Sequence, residues 1–594
     1  MISSRLVLAA SVLALASCAS ISSVRQAQQA AAVANRRADL DEAKIKTLET
    51  WLMTLQTQMT SKLSTVNSRA ADTAATLAST QAKAASAQAN SQAALAQANR
   101  TQQALNLALA SGTLIQSSRN PETGANRMFN QLIAKARTAS THAYVPDSET
   151  APQPLAQLDA KSYNAIGWHG SIPAWPEVSR FVPALQPAGY IYTHGVEVHL
   201  VEGAHDTRLH FTPAEFSLPN KSGALPKTIP VAGVNFFYRF GTDTSASEFL
   251  SFLGASYFRA LGQGQWWGLS ARGVAVDTAV TNTPEAFPAF RAFWIVVPAP
   301  HSPTLTMLAE LDGPGVTGAY QFLITPGTTT AVEVTAVLFL RHPVKRLGLA
   351  PLTSMFLQGP SSAQQFDLLH PSIHDSDGLQ IETGEGHWLW HPLRNPERLS
   401  QIRLPLDNPA GYGLMQRDRN FNDYQFVGNH YQDRPSAWVT FAGDWGEGTI
   451  DLFEIPSRNA DDDNVVAFWE PKTAPPPMQP LTLHYTIQWQ NTQQTIPPLG
   501  WTAETRVARP SSDTRIFSVY FTGGELAALP QWIALQPDIQ VANNSHVSDV
   551  TLVKLPNGSR WRLRFTVQGN PEDRIDARIS YRGRPLTEDW NWGG

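Results

Sequence analysis

From Ala19 to Ser111 the sequence holds neither Gly nor Pro, while beyond that point both recur at short intervals. This break limits the fold more than any other feature. The first stretch has no turn signals and is rich in the helix formers Ala, Leu and Gln, whereas the second must be built from short segments joined by turns. Within the first stretch Ile45, Leu48, Leu52, Leu55 and Met59 recur at 3-4-3-4 spacing, with Val66 one heptad beyond Met59. The seam then weakens to alanine. A continuous helix over 18–116 would reach on the order of 140 Å at 1.5 Å per residue. It could not bury its apolar stripe alone, so either self-association into a homo-oligomer through a coiled-coil-like stalk or packing on another surface is expected. A largely unstructured Ala/Gln tether is the alternative.

The residues before this stretch read as an export signal. Arg5 supplies a positive start, and Leu6 to Leu15 form an apolar run too short to span a bilayer. Leu15-Ala-Ser-Cys18 resembles the lipobox of bacterial lipoproteins, which implies a signal peptide over 1–17 and lipidation of Cys18. An ordinary secretory signal with a chance Cys is the other reading. Cys18 is the single cysteine of the chain, so an intrachain disulfide and a Cys-based metal cluster are both excluded. Lipidation would anchor the protein to a membrane through its N-terminus, and by the sorting rules of enteric bacteria Ala19 and Ser20 favour the outer membrane. A net charge of −4 and a pI near 6.4 give no basic field, so nucleic acid is not an expected partner.

The remaining chain is long enough for more than one domain. A short amphipathic helix is predicted over Met128–Ala139. Strand patterns follow: Val196–Leu200 alternates, and Thr330–Leu340 is a β-branched, apolar run. An all-β sandwich is expected over 127–470. The Pro-rich run 471–480 reads as a semi-rigid linker. Beyond it, Leu481 to Trp489, Trp561 to Val567 and Ile575 to Tyr581 alternate with period two, which suggests a small immunoglobulin-like sandwich over 481–594. No Walker A loop, Rossmann fingerprint or zinc-protease helix occurs, so neither a cofactor nor a metal is expected.

Between His374 and Trp469 carboxylates, aromatics and arginines are interleaved with Gly and Pro. That mixture suits a groove for a polar, uncharged, ring-shaped polymer. Trp388, Trp390 and Trp438 offer apolar planes that sugar rings match, although Trp388 and Trp390 share one side of a strand and one of them is equally a core residue. Arg417 is a candidate for binding hydroxyls, or for pairing Asp418 and Asp423. Asp375 and Asp377 also fit an ordinary Asx turn, and Asp461 to Asp463 a solvated acidic loop.

Eight motifs occur in a specific order: Phe252–Gly262, Gly268–Gly273, Val316–Tyr320, Ala350–Phe356, His374–Gly378, Gly413–Arg417, Arg434–Trp438 and Asp463–Trp469. Together they resemble the periplasmic glucan biosynthesis proteins G and D over about 128–590. The resemblance implies a large galactose-mutarotase-like β-sandwich followed by an immunoglobulin-like one, in a periplasmic protein that acts on a β-glucan polysaccharide. It further implies an inverting endo-β-1,2-glucanase. The general acid falls on Asp463, the general base on Asp375, and proton-relay residues on Tyr431 and Arg434. A transglycosylase using the same residues and a non-catalytic glucan-binding scaffold remain open. Two departures stand out. Asn420 replaces the Asp common in the family's Arg-Asp-Arg-Asp-Phe, and the stretch Thr505 to Tyr520 is shorter than the family's loop that reaches a dimer mate.

Overall fold

The computed structural model describes residues 124–594, except 147–148, 220–223, 242–244, 363–364, 492–496, 543–544, 557, 571 and 594, together with scattered residues between Arg25 and Ser61. It divides into two units, Met1–Asn120 and Pro121–Gly594. In the first unit every described residue is helical, and Val33, Met53 and Met59 are exposed. Cys18, the signal segment and the other seam residues (Ile45, Leu48, Leu52, Leu55, Val66) lie outside the described residues. Among the described residues no helix is long and apolar enough to cross a membrane.

The second unit is mostly β. Two large sheets face each other, and the periodicity of their strands decides what lies between them. Phe181–Pro187, for example, alternates buried and half-buried along all seven residues. One sheet of ten strands runs, in spatial order, Phe181–Pro187, Val231–Tyr238, Ser247–Leu253, Tyr257–Ala260, Ser270–Arg272, Leu347–Ser354, Val465–Pro471, Glu447–Glu454 and Ser400–Asp407, with Val274–Val276 also paired to Leu347–Ser354. The other, of fifteen strands, has Pro480–Gln490 at its centre between Thr329–Leu340 and Ser436–Phe441. Phe236, Phe252 and Trp469 from the first sheet meet Phe322, Ile487 and Trp489 from the second in one core. The outer face of the larger sheet is covered by the helix Gly124–Ser140, whose Phe129, Leu132 and Ala136 pack on Trp294, Leu308 and Phe339. Arg341 donates to the Ala139 and His142 carbonyls at the helix end, where unpaired carbonyls and the dipole favour a cation.

Residues 471–480 are not an interdomain linker. They cross from the ten-stranded to the fifteen-stranded sheet of one sandwich. Leu483, Tyr485, Ile487 and Trp489 then fill the core between those sheets. The alternation from Leu481 onward marks a strand correctly but says nothing of which sandwich owns it, so the first sandwich extends to Gln490. The smaller sandwich begins at Trp501. One of its sheets contains Trp501–Ala508, Thr514–Thr522, Trp561–Gln568 and His546–Lys554. Its other strands, Gln536–Val541, Ile575–Tyr581 and Asp589–Trp592, continue the fifteen-stranded sheet, because Asp589–Trp592 pairs in parallel with Trp388–Pro392. The hairpin between Trp501–Ala508 and Thr514–Thr522 is closed by residues 509–513 alone, with the Ser511 hydroxyl donating to Asp513 at 2.7 Å.

That parallel junction explains where four expected sugar-binding residues went. Trp388, Trp390 and Trp438 are all buried in the core of the smaller sandwich, and Trp388 stacks on Trp438 at 5.7 Å. Their alternation, read as one side facing a groove, instead faces the second sandwich. Arg417 is likewise no groove residue. Its guanidinium is buried, lies 3.5 Å over the Trp390 ring, donates to Glu588 at 2.7 and 3.0 Å, and reaches Gln380 and the Thr502 carbonyl. A buried cation is tolerable only with such pairing. Removing one partner strands the other charge, so Glu588→Ala should lower unfolding stability by about 3–5 kcal/mol, whereas the paired Arg417→Leu/Glu588→Leu replacement should recover most of it. Chemical denaturation of the three proteins checks this; an unchanged Glu588→Ala midpoint would refute it.

Candidate active site

Asp375 follows the two-residue strand Ile373–His374, which pairs with Phe356–Gln358. Its backbone N–H donates to the Met355 carbonyl at 2.9 Å. The Asp463 loop is tied to the same hairpin by Asn464. This buried amide accepts from the Phe356 N–H at 2.8 Å and donates to the Phe356 and Ile455 carbonyls, both at 3.0 Å. One asparagine thus uses both ends of its side chain to hold the acidic loop beside the Asp375 turn. Asp461 and Asp462 are engaged locally, Asp462 accepting from the Ser457 hydroxyl at 2.8 Å.

Tyr431 opens the 3-10 turn Tyr431–Asp433 and Arg434 ends it. The Arg434 guanidinium contacts the Asp375 carboxylate, lies 4.2 Å over the Tyr431 ring and donates to the Asn429 carbonyl at 3.2 and 3.1 Å. Asn429 in turn donates to the Tyr431 hydroxyl at 3.1 Å. Gln416 fixes this turn against the Asp375 strand, since its Nε2 donates to the carbonyls of both His374 and Tyr431 at 3.0 Å. The structure therefore brings Asp375, Asp463, Tyr431 and Arg434 into one cluster.

Burial and charge act in opposite directions on the two carboxyls. Burial pushes Asp375 up to about 6 against the pull of Arg434, and the Asp463 charge adds to the rise. Asp463 as a residue keeps solvent-exposed surface. Loss of hydration around its carboxyl still holds it above the usual range, although Arg259 and Arg272 oppose the shift. Neither arginine stood out in the sequence as a site residue. Both lie in motifs of the family pattern, on adjacent strands where Tyr257 pairs with Arg272, and Arg272 donates to Glu285 at 2.8 Å and Thr353 at 3.0 Å.

With Trp388, Trp390 and Trp438 buried, the aromatic surface near the cluster is Trp266. It is 46% exposed, stacks on His430 at 4.2 Å, and its backbone N–H donates to the Asp433 carbonyl at 3.0 Å. His430 adopts a left-handed backbone with φ 49°, a conformation costly for a non-glycine residue and concentrated at functional sites. Position 420 has a local role. The Asn420 side chain accepts from the Asn422 N–H at 3.2 Å and donates to Asp423 at 2.8 Å, capping a short helix. The amide does this without adding a charge between Asp418 and Asp423. Among the described residues no group of three or more His, Cys, Asp or Glu is placed to hold a metal ion.

The family model described as "Periplasmic glucan biosynthesis protein, MdoG" matches residues 128–593. The chain belongs to this family. Similar proteins include Glucans biosynthesis protein G of Ralstonia nicotianae, 38% identical over 485 residues that cover 78% of this chain and 95% of the relative. Glucans biosynthesis protein D 1 of the same organism is 38% identical over 518 residues, covering 82% and 95%. Glucans biosynthesis protein G of Pseudomonas putida is 35% identical over 484 residues, covering 78% and 82%. The matched span contains every residue of the cluster.

Because Arg434 is the main cation that opposes burial at Asp375, with Arg259 the lesser one, Arg434→Gln should raise that carboxyl above about 6. A carboxyl-resolved NMR titration measures it, and an unmoved midpoint would show that Arg434 does not set this proton affinity.

Proposed function

We propose that this chain is a periplasmic protein of osmoregulated glucan synthesis that hydrolyses β-1,2-linked glucan internally, with inversion. The observation that carries the reading is the nearness of Asp375, in contact with Arg434, to Asp463, with both carboxyls raised by loss of hydration and opposed by arginines. The larger sandwich is then the mutarotase-type catalytic body, and the smaller one the immunoglobulin-like support.

In this mechanism Asp463 is the general acid. It gives its proton to the glycosidic oxygen as the bond from that oxygen to the anomeric carbon breaks. Water attacks the opposite face of that carbon and loses a proton to Asp375, with Tyr431 and Arg434 as the relay. Arg434 keeps Asp375 ionised above about pH 6, as a base requires, while loss of hydration favours the protonated form of Asp463. Trp266 offers a face for a sugar ring near the cleavage point. Lipidation at Cys18 and a helical stalk would hold this body off a membrane, the outer membrane being favoured, and a coiled coil would make it an oligomer.

Asp463→Asn removes the proton donor without changing side-chain size, and should lower turnover of linear β-1,2-glucan by about 100- to 10,000-fold. Mass spectrometry of the products separates the chemistries: linear fragments mark hydrolysis, and masses lower by one water mark cyclising transfer. Full turnover in Asp463→Asn would overturn the assignment. The pH dependence has a definite sign. Activity should rise with pH through about 6 as Asp375 ionises, and be lost wherever Asp463 gives up its proton. Arg434→Gln should move the rising limb to higher pH.

A further inference from the structure

One end of the ten-stranded sheet carries a charged cluster that the proposed cleavage chemistry leaves unused. Arg403 lies on the edge strand Ser400–Asp407, directly opposite Asp451 on Glu447–Glu454. On the next strand, Val465–Pro471, Phe468 faces Asp451, and Glu470 lies two positions further on, opposite Thr449. Arg403, Asp451 and Glu470 therefore share one face of three adjacent strands. The Arg403 guanidinium divides itself between the two acids. Its Nε donates to Asp451 Oδ1 at 3.0 Å, while its Nη2 donates to Glu470 Oε2 at 2.9 Å and to the Thr449 hydroxyl at 3.2 Å. Such a guanidinium edge commonly grips both oxygens of one carboxylate. Here it takes one oxygen from each of two, which holds the carboxyls side by side.

Asp451 is fully enclosed, and its Oδ2 meets neither solvent nor, among the described residues, an N–H or O–H donor. The Glu470 carboxyl is the group within hydrogen-bonding reach of it. Two carboxylates cannot bond to each other, whereas a carboxylic acid and a carboxylate can. A single proton would supply the donor that Asp451 lacks and relieve the repulsion of like charges. Burial, and next the Asp451 contact, push Glu470 up to about 7 against the pull of Arg403 and Arg346. The other charged neighbours do not take the proton's place. Arg346, just before Leu347–Ser354, holds its Nε 3.5 Å from Glu470 Oε2 and donates from Nη1 to the Thr278 carbonyl at 2.6 Å. Lys472 is paired with Glu447, and Asp407 is a further acid beside them. A groove of about 780 Å³ is lined by Arg403, Asp407, Glu447, Glu470 and Lys472 but not by Asp451. Glu470 thus has open space on one side, and Asp451 has none.

We propose that Asp451 and Glu470 hold one proton between them, as a pH-sensitive latch joining the strands Glu447–Glu454 and Val465–Pro471. With the proton in place the two acids close on each other beneath Arg403. When it leaves to solvent, Asp451 keeps its bond to Arg403 and Glu470 turns toward the groove. The sign of the effect follows from linkage. The folded chain keeps this proton up to about pH 7, whereas an unfolded glutamate releases it near the ordinary value of 4.5. The latch therefore stabilises the fold fully below about 4.5, and its contribution is lost as pH rises through about 7. None of Asp375, Asp463, Tyr431 or Arg434 takes part, so the latch does not depend on glucan cleavage.

Chemical denaturation of the full chain between about pH 5 and about pH 8, with Glu470→Gln alongside, tests the latch. The glutamine amide is a permanent donor to Asp451 Oδ2 and imitates the protonated state. Other buried acids, Asp375 and Asp418 among them, titrate in both proteins, so the difference between the two curves isolates Glu470. The midpoint of the unaltered chain should fall relative to that of Glu470→Gln as pH rises to about 7, and the gap should then stay constant. Parallel curves over the whole range would overturn the proposal. If Glu470→Gln does not fold, carboxyl-resolved NMR of the unaltered chain decides. A step near 7 that moves the Glu470 and Asp451 signals together supports the shared proton, and a Glu470 step near 4.5 overturns it.

Discussion

The buried pairing of Arg417 with Glu588 is the interaction on which the arrangement of the second unit turns. Arg417 ends the run from Gly411–Met415, and its guanidinium sits between the Trp390 ring and a carboxylate contributed by the last strands of the chain. The same side chain reaches Gln380 in the neighbouring strand and Thr502 in the first strand of the smaller sandwich. One cation therefore holds three segments that are distant in sequence. It also explains why a large sheet and a small sandwich form one continuous structure: the parallel pairing of Asp589–Trp592 with Trp388–Pro392 is locked from the side by charge. A desolvated pair of this kind adds little net stability over an apolar replacement, but it fixes which strand end meets which.

That junction is mechanically close to the cluster of Asp375, Arg434 and Tyr431. The backbone N–H groups of Arg417 and Asp418 both point at Asp377, and Gln416, the residue before them, ties the His374 strand to the Tyr431 turn. From the other side Asn464 attaches the Asp463 loop to Phe356. The two carboxyls are thus positioned by amide side chains with both donor and acceptor occupied, rather than by long charged ones. Their proton affinities follow from the same construction. Burial raises both, and three arginines limit how far, Arg434 and Arg259 at Asp375 and Arg259 and Arg272 at Asp463.

The sequence disclosed more about chemistry than about packing. Period-two alternation located the strands of both sandwiches, and the family resemblance singled out Asp375, Asp463, Tyr431 and Arg434, which lie near one another in the fold. The same alternation misassigned Pro480–Gln490, because a strand's pattern records that one face is buried and not which neighbour buries it. Trp388, Trp390 and Trp438 were misread for the same reason: an aromatic on one face of a strand looks alike whether it meets a sugar or another sheet. Arg417 was misplaced because its partner lies 171 residues away, beyond any local signal. Trp266 carries no local signal of its place, which depends on its backbone N–H bonding the Asp433 carbonyl, a tertiary fact. For the helical stretch before Ser111, the heptad spacing stands as an expectation, since its seam falls almost wholly outside the described residues.

The central claim is that Asp463 and Asp375 act from opposite faces of a glycosidic bond, and the stereochemistry of the product tests it most directly. Proton NMR recorded during the first minutes of β-1,2-glucan cleavage by the unaltered chain distinguishes the anomers before they equilibrate. The mechanism predicts that the new reducing ends appear first as the α-anomer. First appearance of the β-anomer would mean net retention through a covalent intermediate, and would contradict the assignment of Asp375 as a base acting on water.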